Sequence, residues 1–192
     1  MGSDIWAVTL GSDADFYVTT ASGTASTPFT LANTQPEYNG VAYKVTVTPA
    51  ADETGKNFVI VGKGVDGNTL TETLAGDSSA FTSTNYFVSV TSITPDANTA
   101  GNVTIGYALA QGVFLPPTRI KGLYYVASGS AGSVVVTKNS NSQVILNLAT
   151  PASATATQDL VMPSDGLRTA DTSSDYSTVA VTNVTSVTLL CA

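Results

Sequence analysis

An all-β fold follows from three features of the sequence: apolar residues alternating with period two, an abundance of threonine, and turn residues between the alternating runs. In the stretch 41–48 the large apolar residues Val41, Tyr43, Val45 and Val47 fill the odd positions. That is the pattern of a strand with one core face and one wet face. Val103, Ile105, Tyr107 and Leu109 repeat it, as do Val144, Leu146 and Leu148. Threonine occurs 30 times; its branched Cβ suits a pleated surface while its hydroxyl faces solvent.

The run Phe58-Val59-Ile60-Val61 is apolar on both faces and reads as a central, doubly covered strand. Asp66-Gly67 separates it from the alternating run 69–74, a hairpin signal because glycine supplies a positive φ. Gly62 and Gly64 predict a twist or bulge on the approach to that hairpin, not a phosphate loop. A phosphate loop needs a Gly-Lys-Ser/Thr ending and a following helix, and neither is present. Asn39-Gly40 and Asp165-Gly166 mark longer loops, and Ser-, Thr- and Gly-rich stretches at 19–27, 76–84 and 127–133 read as connections. The segment 151–158 is a candidate helical turn, weakened by its threonines.

The strongest internal break is Pro116-Pro117, since consecutive prolines cannot donate to a central ladder and stiffen a link. The sequence thus predicts two small antiparallel β-sandwich or jelly-roll-like domains, residues 1–115 and 116–192, joined by that Pro-Pro linker. Residues 1–40 form a leader open to a docking role. Short echoes between the halves, such as 100–105 with 131–136, use common β residues and read better as convergent composition than as a duplication.

Charge and chemistry narrow the function. The 14 acidic against 7 basic residues give a net charge of -7, which repels phosphate backbones, so no nucleic-acid partner is expected. No stretch has the length and hydropathy of a membrane helix, and residues 1–6 lack the basic start and apolar core of a signal peptide. Synthesis in a cytoplasm without a secretory route is the expectation. Histidine is absent, which removes the usual general base and the commonest transition-metal ligand. The single cysteine, Cys191, allows no intrachain disulfide and reads as a buried thiol at a strand end. Asp13 with Asp15, Asp52 with Glu53, and Asp171 with Asp175 are the carboxylate pairs; the first has the spacing to share a calcium ion, but surface loop carboxylates are the better reading. Asn102-Val103-Thr104 and Asn183-Val184-Thr185 match the glycosylation pattern by chance. No enzyme activity, metal or cofactor is expected.

Aromatic residues occur in adjacent pairs: Phe16-Tyr17, Tyr86-Phe87 and Tyr124-Tyr125. Neighbours on a strand point to opposite faces, so each pair offers one ring to the core and one outward. Core packing plus an interface contact accounts for them better than a sugar-stacking platform. Trp6, Tyr124 and Tyr125 are the candidate interface residues.

The run 64–74, Gly-Val-Asp-Gly-Asn-Thr-Leu-Thr-Glu-Thr-Leu, is followed by Phe81-Thr82-Ser83-Thr84-Asn85-Tyr86-Phe87 and a strand through Thr94, then by Ala100-Gly101-Asn102-Val103-Thr104-Ile105-Gly106. This series resembles a hairpin-and-strand pattern in virion proteins of tailed phages. The second half, from Arg119-Ile120-Lys121-Gly122-Leu123-Tyr124-Tyr125 onward, is similar to small β-sandwich modules of phage head and tail proteins. The resemblance implies a structural protein on the virion surface, first a capsid decoration (cement) protein and second a tail or fibre component. A carbohydrate-binding β module is a further alternative. It also implies the major capsid protein as partner and a homo-oligomer, a trimer being favoured, and it carries no catalytic residue. The region around Trp6 is expected to help dock or knit the subunits, since tryptophan is enriched at interface centres.

Overall fold

A computed structural model of the chain describes residues 6–36, 40–152, 157–161, 165–170 and 176–192. The all-β expectation holds: seventeen strands lie in antiparallel sheets, with one 3-10 turn at Leu109–Gln111 among the described residues. The chain divides into two compact units, Asp13–Gln111 on one side and Met1–Ser12 with Gly112–Ala192 on the other. This corrects the boundary expected at 115/116. The first strand, β1 (Trp6–Leu10), pairs with the last and so belongs to the C-terminal unit.

The unit Asp13–Gln111 holds β2 (Asp13–Ser22), β3 (Ala42–Tyr43), β4 (Val45–Pro49), β5 (Asn57–Gly64), β6 (Thr69–Ala75), β7 (Phe81–Thr82), β8 (Phe87–Pro95) and β9 (Asn102–Tyr107). Strands β3-β8-β5-β6 form one sheet and β2-β9-β4-β7 the other. Phe58, Ile60, Phe87 and Ile93 from the first pack with Tyr17, Val45, Val47 and Ile105 from the second in one hydrophobic cluster. The alternating run at 41–48 explains how the sheets are joined. It breaks at Lys44, so β3 pairs with β8 while β4 pairs with β9 in the facing sheet. Val41, Tyr43, Val45 and Val47 all stay buried through the switch. Strands that change sheets at a bend are how sandwich corners form.

The β5–β6 hairpin turns where expected, with Gly67 at φ 77° and Asp66 accepting from the Asn68 backbone N–H at 3.0 Å. The glycine bulge is also present: the β5–β8 register shifts at Val61/Gly62 and at Lys63/Gly64. A Cβ on Gly62 would stand 2.1 Å from the Ser89 carbonyl oxygen, so only glycine permits that approach. Strand β5 is central, but its second face is only half-covered: Phe58 and Ile60 are fully buried, whereas Val59 and Val61 are intermediate.

The other unit adds β10 (Val113–Leu115), β11 (Arg119–Ala127), β12 (Gly132–Lys138), β13 (Val144–Thr150), β14 (Thr157–Val161), β15 (Leu167–Arg168), β16 (Ser177–Thr182) and β17 (Val184–Cys191). One sheet runs β1-β17-β11-β14, with β15 also on β11, and the other contains β13-β12-β16-β10. Buried residues repeat every second position: Val8 and Leu10, Leu123 and Tyr125, Val134 and Val136, Val179 and Val181, Val187 and Leu189. Pro116-Pro117 is not a domain junction. It lies between β10 and β11 of this one unit, where a turn needs no ladder donor. Thr169 pins that turn: its hydroxyl accepts from Thr118 N–H at 2.8 Å and lies 3.0 Å from the carbonyls of Pro116 and Thr118.

Two loop expectations change. Residues 19–22 belong to β2, and β7 interrupts 76–84. Of the candidate helical turn at 151–158, residues 153–156 lie outside the described residues, and 157–158 begin β14.

Candidate interaction surfaces

Pairing register decides which candidate interface residues face out. Trp6 stands opposite Cys191, Val8 opposite Leu189 and Leu10 opposite Val187, and β11 continues these rows with Ile120, Leu123 and Tyr125. This face is the core side, because all of these residues except half-buried Trp6 are buried. Tyr125 is 1% exposed and cannot present its ring to a partner, which removes it as an interface residue. The opposite face carries Ala7 beside Leu190, and Thr9 beside Thr188 beside Tyr124. Leu190 is 43% and Tyr124 38% exposed, and the Thr9 and Thr188 hydroxyls hydrogen-bond at 3.0 Å. Of the three candidates, Tyr124 alone lies on this outer face.

The other aromatic pairs divide less cleanly, because Phe16 packs against the same core cluster as Tyr17 and Tyr86 precedes β8. Tyr17 is buried and Phe16 half-buried; Phe87 is buried and Tyr86 half-buried. Phe16, Tyr17 and Tyr107 meet edge to face at centroid distances of 5.1–6.5 Å, and Tyr43 lies 4.4 Å from Tyr107. The Lys44 ammonium sits 5.3 Å above the Tyr86 ring. Burial pushes the Tyr17 phenol far above its ordinary range, with Tyr107 adding to the shift, and its hydroxyl has no hydrogen-bond partner among the described residues.

Three carboxylates, Asp52, Asp66 and Asp77, act as local turn caps, while Asp96 ties its turn to the start of β5 at Asn57. Asp52, Asp66, Asp77 and Asp96 accept from backbone and side-chain donors at Thr54, Asn68, Ser78 and Ser79, and Asn57 respectively. Those hydrogen bonds hold all four below the usual carboxylate range. Asp13 is raised, first by burial and then by its hydrogen bond with Asp15. Among the described residues no three Asp, Glu, Cys or His side chains come together as metal ligands, so the Asp13–Asp15 pair has no such third partner. Asp171 and Asp175 lie outside the described residues.

Glu53, which reads from the sequence as a surface loop carboxylate beside Asp52, is instead fully buried. It pairs with Lys56 Nζ at 2.6 Å, and accepts from Ala100 N–H at 2.9 Å and Gly101 N–H at 3.3 Å. Its own backbone N–H donates to the Asp77 carbonyl at 3.3 Å, so one residue joins three loops. The acidic neighbour Asp52 gave no hint of this, because the partners come from residues 47 and 48 positions away. Each bond satisfies a loop donor, and the arrangement is a structural clasp.

Among the described residues of the Asp13–Gln111 unit lie two shallow grooves. One of about 320 Å³ is lined by Thr20, Thr48, Asn102 and Thr104 with Pro49, Ala50 and Val103. The other, about 200 Å³, lies along 21–30, and its only ring, Phe29, is 8% exposed. Neither offers a sugar an open aromatic face. The chain matches no protein-family model, and no curated protein matches it.

Proposed function

We propose that this chain is a non-enzymatic virion structural protein that binds the outer capsid surface of a tailed phage as a decoration protein, in the form of a homo-oligomer, with a trimer favoured. The observation that carries the binding role is the outer face of β1, β17 and β11, where Leu190 and Tyr124 stay 43% and 38% exposed beside Ala7 and a threonine pair. Large side chains in such a setting supply contact area with little desolvation cost. The virion setting is supported by the resemblance of residues 64–74, 81–94 and 100–106, which form the β5–β6 hairpin, β7 with β8, and β9. Repeated contacts by an oligomer raise effective concentration, so a modest single contact suffices to hold a shell under outward stress.

Electron cryo-imaging of the purified particle tests the reading. Many ordered copies on the head exterior are expected; a few copies at the tail would move the protein to a fibre or tail role, and absence from the particle would sink the proposal. The face itself is tested by Leu190→Asp with Tyr124→Ala. Anchors of this type are worth about 1–3 kcal/mol each, so losing both should weaken head binding by at least roughly 30-fold. Unchanged occupancy excludes this face. Deleting the first ten residues is a poorer test, because it removes β1 from its sheet.

A further inference from the structure

Every open sheet edge offers unpaired backbone donors and acceptors, and proteins that stay monomeric guard such edges with charge, proline, bulges or brevity. Three edges of the Asp13–Gln111 unit are guarded. On β6 the Glu72 carboxylate accepts from Thr84 N–H at 2.6 Å and from the Asn85 backbone and side-chain N–H groups at 3.1 and 3.0 Å. Strand β2 begins at the Asp13–Asp15 pair and is broken by two register shifts against β9, and β7 is two residues long. Strand β13 differs. It runs seven residues, Val-Ile-Leu-Asn-Leu-Ala-Thr, with no charge, proline or glycine, and pairs only with β12 among the described residues. Val144 is 52% exposed, and Leu146 and Leu148, which share the buried rows of Val136 and Val134, are only half-covered.

We infer that the open edge of β13 is a contact between two copies of this chain, formed by antiparallel strand pairing across a two-fold axis at Asn147. The strand is its own complement in that register. Leu146 of each copy meets Leu148 of the other, Ile145 meets Ala149, Val144 meets Thr150, and Asn147 meets itself. The leucines lie on the core-facing side and cover each other where β13 alone leaves them half-open. Asn147 points to the exposed face, and a side-chain amide carries both donors and an acceptor, so two of them satisfy one another. A two-fold axis uses the same patch on both partners, which this symmetry about residue 147 provides. The self-complementary register argues for a second copy as occupant, and although two chains of net charge -7 repel over most of their surface, at this edge no like charges meet. The pairing deepens the assembly part of the decoration reading and is independent of any three-fold contact. Its test uses the purified protein alone, so its failure is distinct from failure to find the protein on heads.

The full chain carrying Asn147→Cys should form a disulfide-linked dimer under mild oxidation, faster than a control with Ser79→Cys; the native Cys191 is buried and silent. Light scattering of the wild-type chain should show concentration-dependent association that Asn147→Lys and Asn147→Asp each weaken at least tenfold, like charges then facing each other. Mixing those two variants should restore it as a heterodimer. Residue 147 is exposed, so thermal midpoints report whether each variant is folded. The inference is overturned by a wild-type chain that stays single at about 100 μM, well inside the weak-association range. It is equally overturned by association indifferent to both charges, or by an Asn147→Cys chain that cross-links no faster than the control.

Discussion

Removing the Glu53 side chain is the most severe single test of how the Asp13–Gln111 unit is held together. Glu53→Ala leaves the Lys56 ammonium, whose side chain is only 20% exposed, without its partner at 2.6 Å, and strands the Ala100 and Gly101 N–H groups. Breaking a buried ion pair from one side costs about 3–5 kcal/mol, and each unsatisfied donor about 1–3 kcal/mol where water cannot reach it. The low ends of these terms sum to about 5 kcal/mol, and partial access of water to Lys56 lowers the total to about 3 kcal/mol. With a urea m-value of about 1.5 kcal/mol/M for a unit of this size, the midpoint should fall by about 2 M. Glu53→Gln keeps the shape and one acceptor and should lose about half as much. The assay has a built-in discriminator: the sole tryptophan, Trp6, lies in the other unit. Far-ultraviolet circular dichroism should register the early loss of sheet, while Trp6 fluorescence retains its wild-type midpoint if the units unfold independently. A Glu53→Ala chain whose midpoints by both probes match wild type would refute the clasp.

Three further outcomes follow from the same geometry. The folded-state pKa values of Asp52, Asp66, Asp77 and Asp96 lie below their unfolded values, so the stability they contribute is in place above about pH 4 and is lost as pH falls through the lower folded-state values. Denaturation midpoints measured between about pH 6 and pH 2 should fall, and Asp96→Asn should flatten the fall. Burial pushes the Cys191 thiol up to about 11, so alkylation at about pH 8 should require opening of β17 and accelerate sharply in denaturant; stability should decline as pH rises from about 9 towards 11. Tyr17→Phe removes a buried hydroxyl that has no partner among the described residues, so the variant should match or exceed wild-type stability by about 1 kcal/mol in chemical denaturation, and a loss above that size would expose an undetected bond.

The parts of this fold legible in the sequence are those set by neighbouring residues. The hairpin at Asp66-Gly67, the bulges at Gly62 and Gly64 and the inward–outward split of Tyr124 and Tyr125 all depend on backbone geometry within a few positions. Alternation assigns a residue to a face but does not fix how deeply that face is covered. Val144, Leu146 and Leu148 therefore read like Val103 and Ile105, yet the first set lies on an edge and the second in a core. The unit boundary failed for a related reason. Pairing of Trp6 with Cys191 joins residues far apart in sequence and leaves no local mark, whereas Pro116-Pro117 leaves a strong local mark on what is only a turn. Tyr124 and Tyr125 were equal in the sequence until register with Thr188 and Val187 separated them.

The distribution of charge has a consequence for how any partner is held. Asp52, Asp66 and Asp77 are engaged with their own turns, Asp96 with Asn57, Glu72 with the loop at 84–85, and Glu53 with Lys56. The edge of β13 and most of the outer face at Ala7, Thr9, Thr188, Leu190 and Tyr124 offer apolar groups, hydroxyls and backbone amides, with Asp159 of β14 the one acidic residue in register beside Tyr124. Attraction there comes from buried area and short-range hydrogen bonds, which salt does not screen, while the repulsion between acidic chains acts over distance and is screened within about 10 Å at 0.1 M salt. Raising sodium chloride from about 0.05 to 0.5 M should therefore leave head binding and self-association unchanged or strengthen them, as read by sedimentation with heads and by light scattering. A tenfold loss of either over that range would mean that charged side chains carry the contact, and the uncharged surfaces would have to be abandoned as its site.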